Sequence, residues 1–581
     1  MREQRSLKVA AFLALFVLPL VLRLAPIEHG MPRNYVPDTN IVRAALGMAR
    51  DKDLVPRPGK YSHYPNLLPY ALLPAFAVQY EAGKLRGEWA DAKTYGDHVL
   101  EHPEDAQIIG RWLVALLGAL TPFVVFKTAR AAGMTRGAWI AAWFVATGLL
   151  HVQFSTEERP WVPMTLFLAL AAWPAVIYAR DPRPRWLVLS GLAAALSFSC
   201  HQGGLGALGI PALAWIFAPL SWRSRDLAQR LGHGAACVAA FAVLALAVGH
   251  PYLLRYGRTQ TKDIIGGAQI EEQGGMEIGG MSILFHVRWQ SLARLSKAML
   301  GYDPVVVLLG VAGLYRALRR RELRGPTVFT IAWAAFFLTN TSDHVRYLLP
   351  VTVLLALPAG LLCESWITHR AGRVALLAAL CFPLAQSLRL DHLLRQSDTR
   401  ESAERELAKL GPHTLVAIDR YGPEVELDRD SLERLERVRT STHSELRARE
   451  EHRRRLLDRG LVPPAERGID AVRVEELFEI DDRVGTVKVR PGLESLGKDA
   501  STVLSSIGAT HLLLVERRMH GGEQNLLAPV VAGVSPTLVI DPSCGSGRTS
   551  EAFLPTEMDF PLVALWSVNR PGPWMGLYRL H

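Results

Sequence analysis

The chain has 581 residues, 49% of them hydrophobic and 21% charged, with a net charge of +10 at pH 7 and a mean hydropathy of +0.14. That balance excludes an ordinary soluble enzyme and points to a membrane. Five cysteines without a Cys-x-x-Cys or Cys-x-x-Cys-His pair exclude a disulfide framework, a zinc ribbon, a thioredoxin-like site and c-type haem. The positive charge sits largely in short arginine runs between apolar segments, where a membrane protein needs it, so a nucleic-acid partner is not expected.

A hydrocarbon core of about 30 Å is crossed by roughly 17 to 25 apolar residues. Stretches of that kind fall at 8–25, 108–126, 137–154, 161–179, 186–200, 205–220, 232–249, 303–318, 326–340, 347–366 and 374–390, which predicts eleven spans. The fifth and sixth are separated only by His201-Gln202-Gly203-Gly204 and read as a helical hairpin turning at one surface. Arginine and lysine then fall in alternate loops: Arg2, Arg5 and Lys8; Lys127, Arg130 and Arg136; Arg180, Arg183 and Arg185; Arg223, Arg225 and Arg230; Arg316 to Arg324; His369, Arg370 and Arg373. Those loops face inward by the positive-inside rule, which puts the N-terminus in the cytoplasm and everything after 390 outside. No small-x-small site follows Leu22-Arg23-Leu24-Ala25-Pro26, so the first segment reads as an uncleaved anchor.

Two outer loops are longer than connectors. Residues 26–107 hold an amphipathic stretch at Ile41–Met48 and an aromatic one from His63 and Tyr64 to Leu73, both suited to helices lying in the interface. Residues 256–300, with Gly266-Gly267 and Gly279-Gly280, read as a mobile flap rather than a packed unit. After Leu390 the composition turns charged and soluble, and 391–581 reads as a separate extracytoplasmic domain. Strand-like runs at 414–418, 510–515 and 537–540 alternate there with helical patterns at 398–410 and 431–459, which predicts a small α/β sheet. No Walker A, Gly-x-Gly-x-x-Gly or His-Glu-x-x-His motif occurs in it.

Ionisable residues at membrane-span ends are expensive and tend to face a cavity. On the outer side they are Asp38, Glu157, Glu158, Arg159, His201, His250 with Tyr252 and Arg255, and Asp343, His344, Arg346 and Tyr347. Acids and cations from five distant loops on one face suit a carboxylate base and cationic phosphate ligands. Each member alone has a plain reading: the arginines as snorkelling side chains, the histidines as turn residues, Asp38 as a helix N-cap, Glu157 and Glu158 as a polar loop tip.

Several of these residues sit in motifs that resemble a known family. They are Asn34-Tyr35-Val36-Pro37-Asp38, Ala45-Leu46-Gly47-Met48, Asp53-Leu54-Val55-Pro56 and Tyr64-Pro65-Asn66-Leu67; His151 to Ser155 with Arg159-Pro160; His250-Pro251-Tyr252; Arg346-Tyr347-Leu348-Leu349-Pro350; and Asp398 to Ala403 with Tyr421-Gly422-Pro423. In order and placement they resemble the membrane glycosyltransferases of the GT-C class, specifically bacterial family 39 relatives of protein O-mannosyltransferase and aminoarabinose transferase. The resemblance implies a GT-C fold in a bacterial inner membrane, a polyprenyl-phosphate sugar donor and a glycan, lipid or protein acceptor. It also implies inverting transfer with a first-loop aspartate, here Asp38, as the base. Arg346, Arg159 and His201 would then lie near the departing lipid phosphate, with His63, Tyr64, His250, Tyr252 and Tyr347 lining the site. Three positions depart from the family pattern: Thr39 replaces a glutamate, Trp161 an acid and His201 a lysine, leaving Glu157 or Glu158 to supply the missing acid. A divalent ion is open, because Asp38 and Glu157 or Glu158 would hold one only if the fold brings them together. Two rival readings remain: an inactive member that binds lipid-linked sugar, and a lipid-linked substrate flippase, although no internal repeat accompanies it.

Overall fold

The structure, a computed structural model, describes residues 13–33, 35, 40–57, 59–62, 64–220, 224–256, 270–271, 275–278, 281–340, 344–411, 414–463, 468–481, 486–516, 525–543 and 562–580. Asp38, Thr39, His63 and Asp343 lie outside the described residues. The chain forms two compact units, one of residues 1–27, 38–88 and 105–391, the other of 28–37, 89–104 and 392–581.

The first unit is mainly helical. Its helices are α1 (Leu18–Leu24), α2 (Asn40–Asp51) and α3 (Leu67–Arg86), then, after the α4 helix of the other unit (Ala92–Glu101), α5 (Pro103–Ala131), α6 (Arg136–Thr147), α7 (Leu149–Phe154), α8 (Trp161–Arg180), α9 (Pro184–Cys200), α10 (Gly209–Phe217) and α11 (Ser224–Leu244). They continue with α12 (Tyr252–Tyr256), α13 (Trp289–Tyr302), α14 (Pro304–Arg319), α15 (Arg321–Thr339), α16 (Leu349–Glu364) and α17 (Arg370–Leu394). Among the described residues five helices are long and apolar enough to cross a membrane: Pro103–Ala131, Trp161–Arg180, Asp226–Gly249, Val345–Thr368 and Arg370–Leu407. A sixth is α13 with α14, if that pair, bent by 112° at Asp303, is one span. The other expected spans fall on shorter or more charged helices. The one expected at 137–154 is broken into α6 and α7 at Gly148, whose ψ of 123° is extended.

Small residues let these helices approach. α6 and α16 cross where Gly137 faces Gly360, each so close to the other's carbonyl oxygen that a Cβ at either position would collide with backbone. Serine hydroxyls join α9 to α8, with Ser190 donating to the Ala171 carbonyl at 2.8 Å and Ser197 to the Met164 carbonyl at 2.9 Å. Between α9 and α10 the expected hairpin turn is a 3₁₀ segment, Gln202–Leu208. The region read as a mobile flap holds, in its described part, an antiparallel meander of β1 (Ile270–Glu271), β2 (Gly275–Ile278) and β3 (Met281–Leu284) followed by α13.

The second unit is built on a five-stranded mixed sheet in the order β5 (Ala471–Arg473), β4 (Val416–Ile418), β8 (His511–Glu516), β10 (Trp574–Arg579), β9 (Leu538–Ile540), beside a separate hairpin of β6 (Phe478–Asp481) and β7 (Thr486–Val489). β4 runs parallel to both β5 and β8, whereas β10 is antiparallel to β8 and β9. Both faces are covered, which explains the unbroken apolar run in β8. Leu512 and Leu514 join one core with Val474, Leu477 and Val503, while Leu513 and Val515 join another with Ala403 and Leu407 of α18 (Thr399–Leu407). The helix expected over 431–459 is two, α19 (Arg429–Ser441) and α20 (Ala448–Asp458), separated by a turn in which His443 has φ of 54°.

Candidate functional site

The loop that precedes α8 is held rigidly from three directions. Asp303, at the bend between α13 and α14, accepts from the Leu149 and Leu150 amides at 2.7 and 3.4 Å and so caps α7. Arg23 of α1, fully buried, donates to the carbonyls of Pro19, Val145 and Ala146 and reaches Ser155 Oγ at 3.2 Å and His151 Nδ1 at 2.8 Å. Arg111 of α5 pairs with Glu158 at 2.9 Å, both side chains 0% exposed, and donates to the Ile27 carbonyl at 2.7 Å. A buried guanidinium needs such acceptors, and here they fix the path of residues 149–159.

From that loop α8 starts with Trp161. Its indole lies 4.0 Å from the His201 ring and 5.1 Å from the Tyr347 ring, centroid to centroid. Tyr64, just before α3, brings its ring within 5.3 Å of His201. The Arg346 guanidinium lies 5.4 Å from the Trp161 ring and 5.6 Å from that of Tyr347. Tyr347 is braced from behind by α15, where Trp333 Nε1 donates to its carbonyl at 2.9 Å and Phe337 packs on its ring. His201 ends α9 in an extended conformation. Its Nδ1 accepts from the Gly203 amide at 2.9 Å, which in the neutral ring leaves the hydrogen on Nε2. Gly204 allows the tight turn because it lies against the Ser197 carbonyl, where any Cβ would collide.

Buried N–H groups with no hydrogen-bond partner among the described residues are His201 Nε2 and Trp161 Nε1 in this cluster and, two residues before Trp161 in the chain, both terminal nitrogens of Arg159. Arg159 itself stands 3.1 Å from Glu157, both side chains almost fully buried. Unsatisfied buried donors are rare and costly, and a cationic one especially so. The arrangement is chemically suited to an anion that brings several acceptor oxygens.

The structure therefore gathers Tyr64, His201, Arg346 and Tyr347 in one cluster. It adds Trp161, which the sequence reading treated as a departure. Arg159 sits two residues from Trp161. His250 and Tyr252 form a neighbouring pair, with Nδ1 to hydroxyl at 2.6 Å and Phe198 against the histidine ring. The Gly249 carbonyl beside them accepts from the Asn66 amide at 3.0 Å. Glu157 and Glu158 are each engaged by an arginine. No group of three or more His, Cys, Asp or Glu suited to a metal occurs among the described residues. Asp38 and His63 lie outside the described residues, so the base and that lining residue have no geometry here. Arg23, Arg111 and Asp303 were missed by the sequence reading. The signal was available for the arginines, since each interrupts an apolar run. Arg255 donates to Asp53 at 2.6 Å and holds that carboxyl below the usual aspartate range.

The family model described as dolichyl-phosphate-mannose-protein mannosyltransferase matches residues 104–263, a stretch that contains Arg111, Glu157 to Trp161, His201, His250 and Tyr252. The resemblance to protein O-mannosyltransferases drawn from the motifs is thus borne out over that region. Among solved structures, ArnT from Cupriavidus metallidurans bound to undecaprenyl phosphate is similar at 16% identity and a TM-score of 0.45, over 70% of this chain and 66% of that one. The same protein in its apo state gives 15% identity and a TM-score of 0.45, over 80% and 74%. The archaeal oligosaccharyltransferase AglB from Archaeoglobus fulgidus, in complex with an inhibitory peptide and a dolichol-phosphate, gives 12% and 0.40, over 71% of this chain and 58% of that chain. No curated protein matches the sequence.

Proposed function

We propose that this chain is a polyprenyl-phosphate-dependent glycosyltransferase. It moves a sugar from the lipid-linked donor to a glycan, lipid or protein acceptor at the outer face of a bacterial inner membrane, with the eleven-span topology and the outward C-terminal unit read from the arginine pattern. The observation that carries the reading is the pair of buried, unsatisfied N–H donors on Trp161 and His201 beside Arg346, with the unsatisfied terminal nitrogens of Arg159 two residues away in the chain. A lipid phosphate supplies the acceptor oxygens these groups lack, and donors fixed in advance stabilise the phosphate as it departs. Trp161, Tyr64 and Tyr347 give the flat apolar surfaces that sugar or isoprenoid faces pack on. Direct displacement also needs a carboxylate on the opposite side of the anomeric carbon to take the acceptor proton, and Asp38 is the residue proposed for it.

The test compares membranes holding the wild-type chain with membranes holding Asp38→Asn at equal expression, supplied with radiolabelled undecaprenyl-phosphate sugars. Loss of label from the lipid with wild type, abolished in the variant, is the expected result. Equal turnover by both would remove Asp38 as base. A second reading, a binder of lipid-linked sugar without turnover, is favoured by the arginine partners of both Glu157 and Glu158. Lipid binding with no turnover by either protein would select it.

A further inference from the structure

Four cations meet at one end of α5, all of them within the helical unit. Three converge on the carbonyls that end this helix and the turn after it, each from a different stretch of chain. Arg130 Nη1 of α5 itself donates to the Met134 carbonyl at 3.3 Å, Arg180 Nη1 at the end of α8 to that of Ala131 at 3.0 Å, and Arg320 Nη1, between α14 and α15, to that of Ala132 at 3.5 Å. The fourth, Lys127, lies one turn before Arg130, its ammonium 5.2 Å from the Phe123 ring centroid and 6.0 Å from that of Trp173. Carbonyls at a helix C-terminus draw cations, which accounts for one N–H of each guanidinium. A guanidinium carries five. Neighbouring carboxylates offset little of this charge: Glu322 stands 3.9 Å from Arg180, Asp181 is paired with Arg183 at 2.8 Å, and Glu364 caps α6 through the Thr135 and Arg136 amides at 3.0 and 2.9 Å.

The surface next to this charge is apolar. Trp112, Leu116, Leu120 and Phe123 of α5 are each 38–44% exposed. Their spacing of four, four and three residues sets them in one stripe, which Lys127 and Arg130 continue. On a helix long and apolar enough to cross a membrane, such a stripe suits contact with acyl chains. Trp112 and Arg130 are about 27 Å apart along the axis, close to a hydrocarbon thickness of about 30 Å, so with Trp112 at one interface Lys127 and Arg130 reach the headgroups of the other. Trp139, 38% exposed and packed on Phe126 at 4.7 Å between ring centroids, adds the aromatic character of an interface. The cluster is remote from the site at Trp161, because α8 begins at Trp161 and ends at Arg180, about 28 Å farther along its axis.

We propose that this end of α5 is a binding site for an anionic phospholipid, whose phosphate accepts from Arg130, Arg180 and Arg320 and whose acyl chain lies along Phe123, Leu120 and Leu116. Basic pockets between spanning helices hold such headgroups, and each lysine or arginine adds to the attraction. The planar fork of a guanidinium matches the paired oxygens of a phosphate. A zwitterionic lipid brings the same phosphate together with a cation of its own, which the cluster repels, so the site selects net negative charge. A bound headgroup ties the ends of α5 and α8 to the turn between α14 and α15. The arginine pattern assigns this end to the cytoplasmic leaflet, and the site does not depend on the transferase reading.

The experiment uses the full chain in neutral detergent micelles and measures equilibrium binding of radiolabelled phosphatidylglycerol, with phosphatidylcholine of the same acyl chains and inorganic phosphate as competitors. Wild type is compared with Arg130→Gln/Arg180→Gln, with Arg130→Lys/Arg180→Lys, and with Arg316→Gln/Arg319→Gln, a pair in the last turn of α14 outside the cluster. Wild type is expected to favour phosphatidylglycerol over phosphatidylcholine at least about fivefold, and the glutamine pair at 130 and 180 to bind phosphatidylglycerol at least about fivefold more weakly. The lysine pair, which keeps the charge and loses the fork, should lose about twofold, and the pair in α14 less than about twofold. Raising salt from about 0.1 M to about 1 M, which shortens the screening length from about 10 Å to about 3 Å, should weaken wild-type binding severalfold. No preference for phosphatidylglycerol in wild type, unchanged affinity in the glutamine pair, or an equal loss in the α14 pair would overturn the site. Displacement of the lipid by inorganic phosphate would overturn it in favour of a free-anion site. Circular dichroism and size exclusion report whether the glutamine pair folds; if it does not, the salt series and the lysine pair decide, and wild-type binding that is insensitive to salt refutes the proposal.

Discussion

Replacing Arg111 by leucine removes a buried cationic partner of a carboxylate that has no exposure to water. Glu158 accepts from Arg111 Nε at 2.9 Å, and the same guanidinium closes the carbonyl of Ile27 at 2.7 Å. The surroundings cannot relax easily, because Gly110 is pressed against Val42 and the Glu158 side chain. Breaking one side of a fully buried pair costs about 3–5 kcal/mol, most of it from the charge left behind. Removing both charges, Arg111→Leu with Glu158→Leu, is expected to recover all but about 1–2 kcal/mol, since two apolar side chains of similar volume replace the pair. Unfolding in mixed micelles, followed by circular dichroism, gives the double-mutant cycle directly. A loss below about 1 kcal/mol for Arg111→Leu, or a double variant no more stable than the single one, would refute the argument that Glu158 is structural.

In the C-terminal unit, burial works to raise the Glu476 and Glu426 carboxyls. Hydrogen bonding to Arg439 for Glu476, and the charges of Arg449, Arg33 and Arg453 for Glu426, outweigh it and hold both below the usual glutamate range. A depressed folded-state value gives stability that is present above the unfolded glutamate value of about 4.3 and lost as pH falls through the folded one. Thermal melts between pH 7 and pH 3 should therefore show a loss of stability setting in near pH 4.5, and a flat profile would contradict it. Gly360→Ala drives a Cβ into the Gly137 carbonyl and should cost about 1–3 kcal/mol by the same unfolding assay, with an unchanged midpoint as the opposing result. Trp161→Phe keeps the ring but removes the indole N–H, so undecaprenyl-phosphate affinity should fall about three- to tenfold, and no change would mean that the N–H meets no ligand.

The helical unit was legible because apolar runs of span length leave little choice of structure, and the broken helices were not, because the break at Gly148 depends on a cap from Asp303, distant in sequence. Three strand segments of the C-terminal sheet were readable from apolar runs. Ala471–Arg473 and Trp574–Arg579 were not, the first being too short to show alternation and the second carrying a glycine at its centre. At the site, His201, Arg346 and Tyr347 could be named from their positions at span ends and Tyr64 from its family-like Tyr-Pro-Asn-Leu motif, whereas Trp161 could not: nothing in a sequence tells that a tryptophan will stack on a histidine from another helix. Arg23 and Arg111 were legible in principle as charges inside apolar segments, yet their roles depend on acceptors more than forty residues away. The family resemblance supplied the role of Asp38, which periodicity and spacing could not.

The central claim is that Arg346, with Trp161 and His201, receives a lipid phosphate. Its most direct test is the affinity of undecaprenyl phosphate for the purified chain in nanodiscs, measured for wild type and Arg346→Ala at matched thermal stability. A hydrogen bond to a charged group is worth about 1.5–3 kcal/mol, so the account predicts that the variant binds at least about tenfold more weakly. Equal affinity in the two proteins would contradict it.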